Sequence, residues 1–311
     1  MKFLKKAMLV GASILVLGAC GREEVAETTK EITPTIPVET TTEPETTVSR
    51  EGMMPSYLTG EWVHKEVGNR RPVAVMLNNI KTAVPQSGIE KAGVVYEAPV
   101  EGGITRLMGI FEEYDDLAKI GSVRSARTYY VYFAKEFDSI YVHYGEANYA
   151  TPLLSSSDIQ NLSGLEGVGN VVYYRTTDRK APHNAYTSAE GLQKGIEAMK
   201  YRTDFEDGYT GHYKFAEDGE NITLTNGSPV VKLAPGYTVN SPWFEYNSED
   251  ELFYRFQYND KQIDQETAKQ LAYKNIIMQI SDTKTIGDTE YLDITVSGSG
   301  KGKYLTNGQV V

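Results

Sequence analysis

Apolar residues fall into three regimes along this chain. Ala7 to Leu17 is a predominantly apolar run behind Lys2, Lys5 and Lys6. From Gly21 to Pro55 apolar residues are scattered among Thr, Glu and Pro, with no aromatic residue and neither a helical nor a strand period. From Ser56 onward, short apolar runs recur between polar breaks, which is the pattern of a folded chain.

Within the folded part, Val73-Ala74-Val75-Met76-Leu77 is continuously apolar after Arg71-Pro72, which predicts a strand buried on both faces and ended by Asn78 and Asn79. Ala92 to Ala98 predicts a second strand, stopped by Pro99 and the Gly102-Gly103 turn, and Ile104 to Phe111 a third. Ala118 to Gly121 predicts a fourth, handing over to a helix that runs through Phe137 with Ser125 as its cap. On that reading Arg124 and Arg127 stand one helical turn apart at a helix start, where the backbone N–H groups and the macrodipole favour anions. Ile140 to His143 and Asn170 to Arg175 predict two more strands. Thr187 and Glu190 form a capping box ahead of Leu192, Ile196 and Met199 at helical spacing. Strands alternating with helices predict a mixed α/β sheet domain over 56–207.

After that helix the pattern changes. Asn221 to Leu224, Trp243 to Tyr246, Leu252 to Tyr258, Asn275 to Ile280 and Tyr291 to Val296 are short aromatic or β-branched runs between Gly, Asn, Asp and Pro, so 208–311 reads as a smaller β-rich domain. Tyr254, Phe256 and Tyr258 alternate with Arg255 and Gln257, as in a strand with one wet face. Asn307-Gly308 predicts a hairpin turn near the end, with a return strand that has hardly begun, so the C-terminus is expected to be truncated. Ser297 to Lys303 is glycine-rich, yet no Ser or Thr follows a Gly-Lys pair and no helix follows, so it reads as a turn between strands and not as a phosphate loop. The fold class expected for the whole is α+β.

Composition adds a compartment. The basic start, the apolar run of Ala7 to Leu17 and Leu17-Gly18-Ala19-Cys20 match a secretory signal that ends in a lipobox: residues 1–19 are the leader and Cys20 is the lipid-modified first mature residue. Cys20 is the sole cysteine, so the folded part holds no disulfide, thiol nucleophile or cysteine zinc site. Residues 20–55 read as a disordered tether, with a reach on the order of 30 Å. The protein is therefore expected on the outer face of the cell membrane, held there by diacylated Cys20. A net charge of −11 disfavours nucleic-acid partners.

Against that acidic background, Arg106, Arg124, Arg127 and Arg179 cluster in the middle of the chain with Glu97, Glu101, His143, His183 and Asn184. Three uses of such a cluster are open. In an enzyme acting on an anionic cell-envelope polymer or sugar, the arginines hold a phosphate or carboxylate, Glu97 or Glu101 serves as acid or base, and His183 moves protons. In a binding module the same residues, with His143, Arg179 and Asn184, hold the ligand without turnover. In a structural protein Arg and Glu pair in a buried network and the surface recruits another protein, whose identity is unknown. No His-Glu-x-x-His or Gly-x-Ser-x-Gly motif is present, and no metal or cofactor is expected.

The lipobox, the tether, Val73 to Leu77, Tyr96-Glu97, Glu101-Gly102-Gly103-Ile104-Thr105-Arg106, Val123-Arg124-Ser125-Ala126-Arg127, His143 and Ala181-Pro182-His183-Asn184 together resemble the YerB-like lipoproteins of Gram-positive bacteria. The resemblance spans nearly the whole mature chain. It implies an N-terminal mixed domain, a smaller β-rich C-terminal domain and no established activity. Ser122 departs from it, standing where a proline is usual, and the chain ends before the family's final strands. A fainter similarity to the LytR-CpsA-Psr envelope transferases rests on the compartment and the arginines alone.

Overall fold

The computed structural model describes residues 49–311 apart from Gly219 and Asn221, and Ser49–Val311 form one unit. The expected leader, Cys20 and the tether as far as Val48 lie outside the described residues. Regular structure begins earlier than expected, because β1 (Met53–Pro55) pairs antiparallel with β2 (Trp62–His64) ahead of the short helix α1 (Lys65–Gly68).

The chain then forms β3 (Val73–Asn78), β4 (Val94–Pro99), β5 (Thr105–Phe111), β6 (Ile120–Gly121), α2 (Thr128–Lys135), β7 (Ile140–His143), α3 (Thr151–Leu154) and β8 (Asn161–Ser163). It continues through α4 (Gly169–Val172), β9 (Tyr173–Arg175), β10 (Ala185–Thr187) and α5 (Ala189–Met199). The central sheet runs β4-β5-β3-β7-β8, with β3 antiparallel to β5 and parallel to β7. The continuous apolar run of β3 reflects its place in the middle. Ala74 and Met76 face one core with Tyr129, Tyr130 and Phe133 of α2, while Val73, Val75 and Leu77 face another with Leu192 and Ile196 of α5. Burying each large side chain of this kind contributes about 1.5–3 kcal/mol.

Four local expectations are corrected. The segment after Gly121 is extended, not helical: α2 begins only at Thr128, with Arg127 at its N-cap and no side-chain cap. Arg124 and Arg127 are therefore not a turn apart on a helix, and the Ser125 hydroxyl donates instead to the Tyr144 carbonyl at 3.3 Å. The reason lies in the sheet. β3 and β7 pair only from Val73–Ile140 to Val75–Val142, and beyond that Ser122 to Ala126 fills the gap between them. Arg124 N–H donates to Met76 O at 3.0 Å, and Tyr144 N–H to Arg124 O at 3.0 Å. Gly121, at φ +148°, makes the entry to this wedge, and a Cβ there would lie 2.8 Å from the Tyr186 ring. The cap of α5 is Ser188, which accepts from Gly191 N–H, while Thr187 sits in β10 and donates to Val172 O. The run from Asn170 is helical before it extends, because Gly169–Val172 forms α4.

The second half is antiparallel throughout. It comprises β11 (Ser228–Pro229), β12 (Lys232–Leu233), β13 (Trp243–Asn247), β14 (Leu252–Gln257), β15 (Asp260–Lys261), β16 (Ala272–Tyr273), β17 (Asn275–Ile280), β18 (Thr283–Thr285), β19 (Leu292–Ile294), β20 (Lys301–Thr306) and β21 (Gln309–Val310). The expected strand at Asn221 to Leu224 is absent over its described residues 222–224. The Asn307-Gly308 turn joins β20 to β21 as expected, with φ of +47° and +70°. The alternation of β14 is inverted: Arg255 and Gln257 point inward, each 3% exposed, and Tyr254 and Phe256 face outward. The mixed first half followed by the β-rich second half is the α+β arrangement expected. The two halves share their cores, with Ile294 and Val296 packed in the α2 core and Leu271 and Tyr273 in the α5 core.

Candidate functional site

The candidate side chains gather at the end of β3 where Asn78 and Asn79 stop the apolar run, but they divide into three groups. Asn78 serves one group and Asn79 another.

The first is a sealed polar network between the halves. One oxygen of Glu97 accepts from Thr105 Oγ1 at 2.7 Å and Asn240 Nδ2 at 2.8 Å, and the other lies 3.0 Å from Arg255 Nη1. Arg255 continues to Gln262, whose amide donates to Gln86 at 3.0 Å, and Gln86 donates to Asn79 Oδ1 at 3.0 Å. Asn79, Gln86 and Asn240 are fully buried. Glu97 was expected as an acid or base. Both its oxygens are engaged in this seam, as a buried ion-pair member. A cleft lined by Ile80, Lys81, Ile104, Val239, Tyr258 and Asn259 opens beside the seam, where the Tyr258 hydroxyl donates to Asn79 O at 2.9 Å.

The second group is Glu101, Arg127 and Arg106. Arg127 grips Glu101 with two N–H groups, the Nε one at 3.0 Å, and donates to Ala126 O. Arg106 reaches Glu101 at 3.5 Å and donates to Ser125 O at 2.7 Å. Tyr291, from the second half, lies 5.0 Å from the Arg127 guanidinium. Burial alone would push the Glu101 carboxyl up, but the hydrogen bonds and charges of Arg127 and Arg106 outweigh it and hold the group below its usual range. Burial, with the neighbouring Arg127 charge, brings the Arg106 guanidinium down to about 10.

The third group is open. Arg124, on the wedge, is half-buried, donates to Pro182 O at 3.3 Å and has no ion-pair partner among the described residues. The Asn78 amide donates to His183 Nδ1 at 2.9 Å, which leaves the ring proton on Nε2. Burial and the charges of Arg124 and Arg179 depress the His183 pKa, so the ring is neutral at pH 7. Asn184 lies beneath, accepting from exposed Arg175 at 2.7 Å and donating to Thr176 O. Arg179 does not join them: its guanidinium clasps Ala83 O, Pro85 O and Gln265.

His143 belongs to none of the three. It is 1% exposed, with Nδ1–H donating to Gly145 O at 2.8 Å and Nε2 lying 3.1 Å from Asn161 Oδ1, and burial lowers its pKa. Expected among the ligand-binding residues, it is sealed from solvent here. Sequence reasoning missed Arg255, Asn79, Asn240 and Tyr291. The signals that could have found the first two are a charge inside an aromatic strand and twin asparagines at the end of an apolar one. Among the described residues no group of His, Cys, Asp and Glu could hold a metal ion, and no helix is long and apolar enough to cross a membrane.

Comparison with known proteins adds the family. Residues 58–202 match the N-terminal domain, and residues 231–311 the C-terminal domain, of DUF3048, described as a protein of unknown function. A Bacillus subtilis (strain 168) protein described as "Putative lipoprotein YerB" is 34% identical over 258 residues, covering 82% of this chain and 75% of that relative. The crystal structure of YerB from Bacillus subtilis matches with a TM-score of 0.72 at 33% identity, over 83% of this chain and 85% of that one. With one match in each half of the fold and relatives that span both, the chain belongs to the YerB-like DUF3048 family, whose function is unknown.

Proposed function

We propose that this protein is a membrane-anchored extracytoplasmic lipoprotein, held by lipidated Cys20, that binds an anionic cell-envelope ligand on the face formed by Arg124, His183, Asn184 and Arg175. The observation that carries the reading is Arg124. A half-buried guanidinium with no carboxylate in ion-pair reach among the described residues needs a counter-charge, and its neighbours are a neutral imidazole and a second arginine. The site lies at the carboxyl ends of the parallel strands β3 and β7, where mixed sheets commonly bind ligands. Binding without turnover fits best, because the carboxylates offered for acid–base work are committed to Arg255 and Arg127.

A second reading draws on those same pairs, in which the Arg–Glu cluster serves only to hold the fold and the surface recruits a protein. The test is calorimetric titration of the wild type and Arg124→Ala with glycerol phosphate oligomers, beside thermal melts of both. Ligand binding is expected to fall by about tenfold or more, with the melting temperature nearly unchanged. A large drop in melting temperature, or binding that survives the substitution, would favour the structural reading.

A further inference from the structure

Three guanidiniums at the end of the central sheet are served by one carboxylate. Arg106 and Arg127, each 4% exposed, both turn to Glu101, and Arg124 has no carboxylate within ion-pair distance among the described residues. They converge on one stretch of backbone: Arg106 donates to Ser125 O at 2.7 Å, and Arg124 and Arg127 stand on either side of Ser125. The Arg127 charge accordingly disfavours protonation of both Arg106 and Arg124. Buried charges persist when they are matched. Here two positive charges remain in excess, and α2 adds positive potential, since Arg127 is its N-cap and it has neither a side-chain cap nor an acidic residue in its first turn.

The matching carboxylate is more exposed than the arginines, its side chain 24% accessible against 5% for each of them. Glu101 stands on the surface turn Glu101–Gly103 between β4 and β5, where Gly102 and Gly103 take φ of +71° and +69°. Both glycines are exposed, and a Cβ on Gly102 would meet nothing within 4 Å. Val100 and Ile104 on either side are packed in the α2 core and bonded to each other, so movement of this turn would be confined to Glu101–Gly103.

We propose that Glu101 is a displaceable internal counter-anion, and that Arg106 and Arg127, which it pairs, together with Arg124 on the adjoining open face receive a ligand group with at least two negative charges, a phosphomonoester or a diphosphate. The proposal rests on the reading of Arg124 as part of an open anion site, and narrows the ligand class. A monocarboxylate would replace one negative charge with another and gain little. A dianionic group adds charge where positive charge is in excess, and its tetrahedral oxygens offer more acceptors to forked guanidinium donors.

The experiment titrates the full-length protein with inorganic pyrophosphate, with acetate as a singly charged control. Glu101→Gln is expected to bind pyrophosphate about tenfold more tightly than the wild type, and Arg124→Ala to bind it at least about tenfold more weakly. In the wild type, hydrogen exchange at residues 101–104 is expected to rise when pyrophosphate binds, a readout that stands even where Glu101→Gln fails to fold. Vesicles containing phosphatidic acid, set beside soluble glycerol 3-phosphate, separate a membrane-borne from a soluble phosphomonoester; binding of either supports the ligand class. Undiminished binding by Arg124→Ala would remove the open site itself. Weakened binding by Arg124→Ala, with no gain in Glu101→Gln and no change in exchange, would keep that site and overturn the role of Glu101. Acetate binding as tightly as pyrophosphate would overturn the ligand class.

Discussion

Arg255 shows what a single buried charge does here. Its guanidinium is the sole ion-pair partner of Glu97 among the described residues, and both lie between the two halves. Truncating it leaves a carboxylate desolvated without its counter-charge. Arg255→Ala should therefore cost about 3–5 kcal/mol, read as a fall in the denaturant midpoint, and Arg255→Lys distinctly less. The histidines set a pH dependence. His183 and His143 both have pKa values below the usual histidine range, the first from burial and the Arg124 and Arg179 charges, the second from burial. An imidazole harder to protonate when folded stabilises the native state above about pH 6.5, and that contribution is lost as pH falls through the folded value. The melting temperature should drop on acidification below that point, and less steeply in His183→Gln. Arg124→Ala should raise the His183 pKa, which an NMR titration of the ring would show.

Secondary structure was legible wherever one physical signal dominated. The buried runs of β3, β5 and β7 could be read because both faces are apolar, and α5 because its apolar residues recur at helical spacing. Boundaries failed where polar residues had two local uses. Thr187 and Ser188 are adjacent hydroxyls, either able to cap, and the pairing of Thr187 with both β6 and β9 decides between them. Ser188→Ala should cost about 1 kcal/mol by removing the hydroxyl that accepts from Gly191 N–H, measurable as a shift in the unfolding midpoint. The Ser122 to Ala126 wedge was illegible for a different reason. It has the composition of a helix start, and its extended form is imposed by the unpaired edges of β3 and β7, which local propensity does not register. The same failure displaced Arg124 from a helix end to a sheet end.

At the scale of the molecule, the two halves recognisable in the sequence are not independent bodies. Ile294 packs in the α2 core, Leu271 in the α5 core, and the Glu97–Arg255–Gln262–Gln86 chain of contacts closes between them. Calorimetry should show one transition whose calorimetric and van't Hoff enthalpies agree, and residues 231–311 alone should lack a cooperative melt. The division of the candidate residues into a sealed seam, a carboxylate-capped pair and an open face was not legible in the sequence, nor was the separation of His143 and Arg179 from all three. That division depends on Arg255 and Asn240, which lie 158 and 143 positions beyond Glu97. The separation also makes the seam a joint between early and late sequence. Thr105 and Gln86 serve Glu97 and Asn79 from within the first half, but the second Glu97 oxygen and the Gln86 side-chain oxygen have their partners, among the described residues, only in Arg255 and Gln262. A chain stopped short of β14 would leave those two acceptors to water, a hydrated groove along the end of its sheet that the last third of the polypeptide closes.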